Sequence, residues 1–271
     1  MARKKLRIGK IAYANVFPVF YMLERMCDCS QFEIIEGVPS ELNAMLRSGA
    51  LDISPSSSVE YLQHPELYSY IDGISISSRG PVGSVFLFSK KPLPKLSGQE
   101  IAVTTQSATS VALLDVLLRE SGIENVRYVS TRRAELAAAD AFLLIGDDAL
   151  IYRLRSPAGS ELFVYDLGEL WHQQHGLPFV FALWIVRREL MNDEAGRNHI
   201  NEFAGTLHAA KREALIRLGE IAVASPLAER LSAGELLAYW NNLDYELGGE
   251  HEQALHLFST KVAGRKSGET G

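Results

Sequence analysis

Asn15, Ser56, Ser57, Ser84, Thr109 and Ser110 are uncharged polar residues at the ends of short apolar runs, and their common chemistry is hydrogen bonding to a guest. Ser107-Ala108-Thr109-Ser110 opens a helical pattern, where hydroxyls and free main-chain N–H groups form an anion site aided by the helix dipole. Each of these residues also has a local use. Ser107 suits an N-cap, one of Ser56, Ser57 and Ser58 after Pro55 suits another, and Asn15, three residues before Pro18, suits an Asx-turn. Ser84 either shares a strand face with Phe86 and Phe88 or stands at that strand's edge beside Gly83.

Titrating groups are fewer. Asp147 and Asp148 follow an apolar run, where one can cap a helix and the other can face a ligand. His172 and His175 have i, i+3 spacing, but no third or fourth ligand joins them, so no metal site is expected. The chain holds no G-x-G-x-x-G, Walker loop, G-x-S-x-G elbow or H-E-x-x-H, which removes the usual support for nucleotide, serine-hydrolase and zinc-protease chemistry.

The elements that must position these residues alternate. Residues 6–12, 32–36, 52–54, 71–77 and 82–90 read as strands, with a helix opening at Pro18 and a second capped by Ser40 and closed by Gly49. A second series follows: strands at 101–104, 126–129 and 141–145, helices at 107–120 and 132–139. Residues 179–186 form an apolar strand, and beyond it helices are expected over 189–218, 226–231, 235–241 and 252–262. Such alternation predicts an α/β fold with mostly parallel sheets. Two series with a helical tail predict two lobes: 1–87 with 181–271, and 88–180, with hinge crossings near 86–90 and 178–183. A ligand cleft then belongs at the carboxyl ends of the strands, between the lobes.

A net charge of −6 argues against polyanion partners such as nucleic acid, and no uninterrupted apolar run is long enough for a membrane span. The basic start leads into an apolar stretch broken by Asn15 and Pro18, which does not read as an export signal. Cys27 and Cys29 are the only cysteines, so neither a disulfide framework nor a metal knuckle is expected, and a cytoplasmic home follows.

Several segments together resemble the chorismate dehydratase family. They are Tyr13-Ala14-Asn15-Val16-Phe17-Pro18, where the family usually has Leu at the second place, Leu51-Asp52-Ile53-Ser54-Pro55-Ser56-Ser57, and Gly80-Pro81-Val82-Gly83-Ser84-Val85-Phe86-Leu87-Phe88-Ser89. Ser107-Ala108-Thr109-Ser110-Val111, Ile145-Gly146-Asp147-Asp148-Ala149-Leu150, Asp166-Leu167-Gly168-Glu169-Leu170-Trp171 and Gly176-Leu177-Pro178-Phe179-Val180-Phe181-Ala182 continue the match to about residue 187. The tail beyond it carries little signature.

The resemblance implies a two-lobed type II periplasmic-binding-protein-like fold with a cleft between lobes and a helical C-terminal tail, used as an enzyme. It implies dehydration of chorismate to 3-[(1-carboxyvinyl)oxy]benzoate on the futalosine route to menaquinone, by a monomer or homodimer with no cofactor. Carried over residue by residue, Ser57, Ser84, Thr109 and Ser110 hold carboxylates, Ser56, Gly83 and Asp147 contact substrate, and Asn15 meets the ring hydroxyl or reacting face. Asn15 and Ser84 are then the catalytic pair, orienting substrate while its own enolpyruvyl carboxylate takes the ring proton, with Asp147 as the rival base. The competing readings are 1,4-dihydroxy-6-naphthoate synthase, which usually has His-Glu where this chain has Gly146-Asp147, and a non-catalytic carboxylate-binding protein.

Overall fold

A computed structural model of the chain describes residues 5–27, 30–103, 108–131, 139–156 and 161–266. The chain forms two units. Unit 1 comprises the residues up to Ile76 with 181–241 and 245–247, and unit 2 comprises 77–180, 242–244 and the residues from Gly248.

Unit 1 is built on β1 (Leu6–Ile11), α1 (Phe17–Met26), β2 (Phe32–Gly37), α2 (Pro39–Ser48), β3 (Ile53–Ser57), α3 (Ser58–Gln63) and β4 (Tyr68–Ser78), the last of which leads into unit 2. Its helix α2 starts at Pro39, whose missing N–H costs nothing at a first turn, so Ser40 lies inside the helix and Val38 takes the cap position expected for Ser40. Gly49 ends α2 in the left-handed region at φ 77°, as the glycine predicted.

Unit 2 follows with β5 (Val85–Ser89), β6 (Glu100–Val103), α4 (Ala108–Glu120), β7 (Arg127–Ser130), β8 (Ala141–Ile145), α5 (Gly146–Arg155), β9 (Phe163–Asp166) and α6 (Leu167–His175). The chain returns to unit 1 along β10 (Phe179–Arg187) and continues through α7 (Glu194–Ile216), α8 (Leu218–Ala224) and α9 (Ala233–Asn242). It ends in unit 2 with α10 (Gly249–Lys266). The expected helix 132–139 and the Ser107 cap lie outside the described residues, apart from Ala139.

Each unit has one five-stranded sheet, ordered β2-β1-β3-β10-β4 in unit 1 and β7-β6-β8-β5-β9 in unit 2. The expected parallel character is only partly met. β1 runs parallel to β2 and β3, and β6 parallel to β7 and β8, but β10 is antiparallel to β3 and β5 is antiparallel to both β8 and β9. Apolar runs buried on both faces read alike in either direction, so strand polarity was not legible.

The units also divide at other places than the expected 1–87 and 88–180. β5 is an interior strand of the second sheet, so the first crossing falls between Ile76 and Ser77, not near 86–90. The tail is shared as well. Phe258 of α10 meets Phe179 at 4.9 Å and Trp171 at 6.0 Å between ring centroids, which holds α10 in unit 2. The helices α7 to α9 stay in unit 1, where Trp184 of β10 packs between Phe20 of α1 at 5.3 Å and Phe203 of α7 at 6.3 Å.

A buried carboxylate ties the unit 1 strands together. Arg7 donates through Nε and Nη2 to Asp52 at 3.0 and 2.7 Å, and the Arg7 main-chain N–H donates to the same carboxylate at 2.9 Å. Arg7 Nη2 and Arg187 Nη1 also reach the Gly49 carbonyl, at 2.7 and 3.1 Å. A Cβ at position 49 would lie 2.8 Å from the Arg187 guanidinium, so Gly49 serves both the left-handed turn and this close approach. Asp52→Ala therefore leaves two guanidinium groups and one N–H short of a partner. It should cost about 3 kcal/mol in urea unfolding, and an unchanged midpoint would show that the network adds nothing.

Candidate functional site

In unit 1, β1 and β3 run parallel, so the residues that follow β1 and those that end β3 share the carboxyl edge of the sheet. Asn15, Ser56 and Ser57 stand there. Ser57 is the N-cap of α3, its Oγ accepting from the Glu60 N–H at 3.3 Å, which leaves its own O–H free to donate. The Oγ atoms of Ser56 and Ser58 and the Oδ1 of Asn15 are buried and have no hydrogen-bond partner. The Asx-turn is thereby excluded at Asn15, since it would occupy Oδ1. Buried polar atoms left unpaired cost on the order of 1–3 kcal/mol each, which makes these three residues candidates for contact with a polar guest.

The turn that carries Asn15 is held by the C-terminal part of unit 1. Trp240 Nε1–H donates to the Ala14 carbonyl and the Tyr245 hydroxyl donates to the Asn15 carbonyl, both at 2.8 Å. Burial raises the Tyr245 phenol well above its ordinary pKa, so it stays protonated and remains a donor. Sequence reasoning missed both residues, because partners more than two hundred positions away leave no local signal.

In unit 2, β6, β8 and β9 point the same way and β5 the opposite way, so three carboxyl ends and the start of β5 share one edge. The structure brings Gly83, Ser84, Thr109, Ser110 and Asp147 to that edge. Thr109 and Ser110 lie buried in the first turn of α4. Val85 pairs with Ile145, and the Ser84 carbonyl accepts from the Gly146 N–H at 2.7 Å, which sets Ser84 beside the start of α5. Asp147 and Asp148 occupy the first turn of α5 and neither is its cap, because the cap residue is Ile145 with no side-chain bond. Phe86 and Phe88 face a core cluster with Phe142 and Leu144, while Ser84 precedes the strand and is buried.

Asp166, which sequence reasoning assigned no role, dominates this edge. Its Oδ1 accepts from the N–H groups of Val82, Gly168 and Glu169 at 3.0, 2.9 and 3.1 Å, and its Oδ2 accepts from Gly83 at 2.7 Å. Burial pushes its carboxyl above the usual range while these four donors pull it back. The available signal was the capping box Asp166-x-x-Glu169, which announces the α6 start but not the reach back to residue 82.

The two histidines do other work. His172 Nδ1–H donates to the Leu177 carbonyl at 3.2 Å, and His175 Nε2 lies 3.0 Å from Glu120. Burial lowers the His175 pKa, with Glu120 opposing. Among the described residues no group of three His, Cys, Asp or Glu is placed to hold a metal ion.

A family model described as menaquinone biosynthesis matches residues 6–263. A chorismate dehydratase of Thermus thermophilus is 38% identical, with 93% of each chain covered. Another, from Campylobacter jejuni, is 30% identical over 64% of each chain. Among solved structures, a protein of Archaeoglobus fulgidus superposes with a TM-score of 0.76 at 19% identity, covering 97% of this chain and 98% of its own. The periplasmic aliphatic sulphonate binding protein of Escherichia coli follows at 0.69 and 15%, covering 98% and 94%. At such identities these structures establish the fold alone, which is that of periplasmic binding proteins.

Tyr245→Phe removes the donor to the Asn15 carbonyl without changing shape. The buried carbonyl is left unpaired, and stability should fall by about 1–2 kcal/mol. Urea unfolding checks this, and a wild-type midpoint would mean that the bond does not hold the turn.

Proposed function

Because the chain belongs to the menaquinone-biosynthesis family, we propose that it is a lyase that converts chorismate to 3-[(1-carboxyvinyl)oxy]benzoate and water. The observation that carries the reading is the content of the two sheet edges. They present uncharged donors, among them the Ser56 and Ser58 hydroxyls, and in unit 2 the start of α4, which suit a dianion bound by a protein of net charge −6. The likeness to curated chorismate dehydratases supplies the substrate.

On this reading, uncharged donors engage the substrate. Ser57, Ser84, Thr109 and Ser110 bind its carboxylates, Ser56, Gly83 and Asp147 complete the contacts, and Asn15 takes the ring hydroxyl or the reacting face. The enolpyruvyl carboxylate removes the proton from the ring carbon that bears its ether oxygen. The electron pair closes the aromatic ring as the neighbouring C–O bond breaks, and the departing hydroxide takes up that proton to leave as water. Asn15 and Ser84 contribute pose, which is worth most when the reacting atoms are already in near-attack contact. No cofactor or metal enters the step.

Position 146 supports the dehydratase over its naphthoate-forming relative. Gly146 has φ 62°, a conformation in which the histidine usual there would be strained. No helix among the described residues is long and apolar enough to cross a membrane. Placement on the futalosine route follows from the family resemblance.

Purified protein mixed with chorismate should yield the aromatic ether, followed by its ultraviolet absorbance, and a chelator should leave the rate unchanged. Asn15→Ala should lower kcat by about a hundredfold with KM changed far less. Asp147→Asn should keep turning over. If it binds chorismate but does not react, the protein and not the substrate supplies the base.

A further inference from the structure

We propose that Asp166 is a positioning residue for the reaction, its carboxylate clamping the loop over residues 80–84 so that Ser84 is presented to substrate. The inference rests on the role given to Ser84 above and adds a residue to which no role is otherwise assigned.

An ordinary N-cap needs only the bonds to Gly168 and Glu169, and Asp166 makes both. Its other two bonds go to Val82 and Gly83, more than eighty residues earlier in the chain. They fix the main chain immediately before Ser84, while the Ser84 carbonyl is fixed by the Gly146 N–H at 2.7 Å. Ser84 therefore lies between two anchors and has little freedom of its own. Gly83 adopts φ 73°, a left-handed conformation open to glycine, which turns the chain from the clamped N–H toward Ser84.

The surroundings agree. Phe86 of β5 pairs with Asp166 of β9, which sets the carboxylate within reach of the loop. Ser78 Oγ donates to the Gly80 carbonyl at 2.9 Å, bracing the other end of the loop. A Cβ at position 168 would lie 2.6 Å from Ser78 Oγ and 2.7 Å from the Gly80 carbonyl, so the start of α6 abuts the loop without space to yield. Asp166 is itself buried, 7% exposed, and water cannot replace its oxygens at these four donors.

Two substitutions separate the clamp from the cap. Asp166→Asn can keep the three bonds at Oδ1 but turns an NH2 toward the Gly83 N–H, donor against donor. Asp166→Ser keeps an N-cap oxygen for α6 and is too short to hold both Val82 and Gly83. For both variants kcat with chorismate should fall by about a hundredfold while KM stays within about threefold. Amide exchange at Val82 and Gly83 should speed up by at least about tenfold. In a Ser84→Ala background Asp166→Asn should cost little more, since it acts through Ser84.

A wild-type kcat in a folded variant, or costs that simply add in the double variant, would overturn the proposal. So would unprotected Val82 and Gly83 amides in the wild-type protein, a measurement independent of whether either variant folds. Absence of chorismate turnover by the wild-type protein would instead refute the functional reading, and the exchange data would still report on the clamp.

Discussion

A carboxylate that accepts four main-chain N–H groups is the constraint on which the loop that carries Ser84, at the edge of the unit 2 sheet, depends. Asp166 fastens together two pieces of chain that the β5–β9 pairing brings side by side, the start of α6 and the loop ahead of β5. Burial makes its charge costly, and the four donors offset that cost only while the loop keeps its shape. Backbone geometry and charge therefore stabilise each other, and the hydroxyl that follows the loop inherits the precision of both.

Unit 1 solves the same problem differently. Asp52 is the organising carboxylate there, but it lies away from the orphaned oxygens and acts on the scaffold, drawing β1, β3 and β10 together through Arg7 and Arg187. The Asn15 turn is braced from the far end of the chain by Trp240 and Tyr245. The turns that carry the neutral residues Asn15 and Ser84 are thus held by buried rings in one unit and by a buried charge in the other.

The chemistry matches this division. Loss of water from a cyclohexadienol gains aromaticity and needs little more than a proton relay of correct geometry, so a site of hydroxyls, amides and helix starts is sufficient if it is rigid. Three helices begin at the same edge of the second sheet, and one of them is closed by its own aspartate. The α5 start has no side-chain cap, and its first turn sets Asp147 and Asp148 beside main-chain N–H groups that favour negative charge.

Composition, the alternating elements and the short polar segments at strand ends were legible in the sequence, because propensity, capping and turn chemistry act over a few residues. So were Asn15, Ser56, Ser57, Ser84, Thr109, Ser110 and Asp147 as residues at or near strand ends, since short polar segments there flank apolar runs. Strand polarity was not legible, nor the crossing after Ile76, nor the transfer of the last helix to unit 2, because apolar runs pack equally well in several orders. Asp166, Trp240 and Tyr245 acquire their roles from partners about eighty and more than two hundred residues away. Only the folded chain brings such groups within 3 Å, and no local pattern encodes a hydrogen bond whose partner is chosen by tertiary packing.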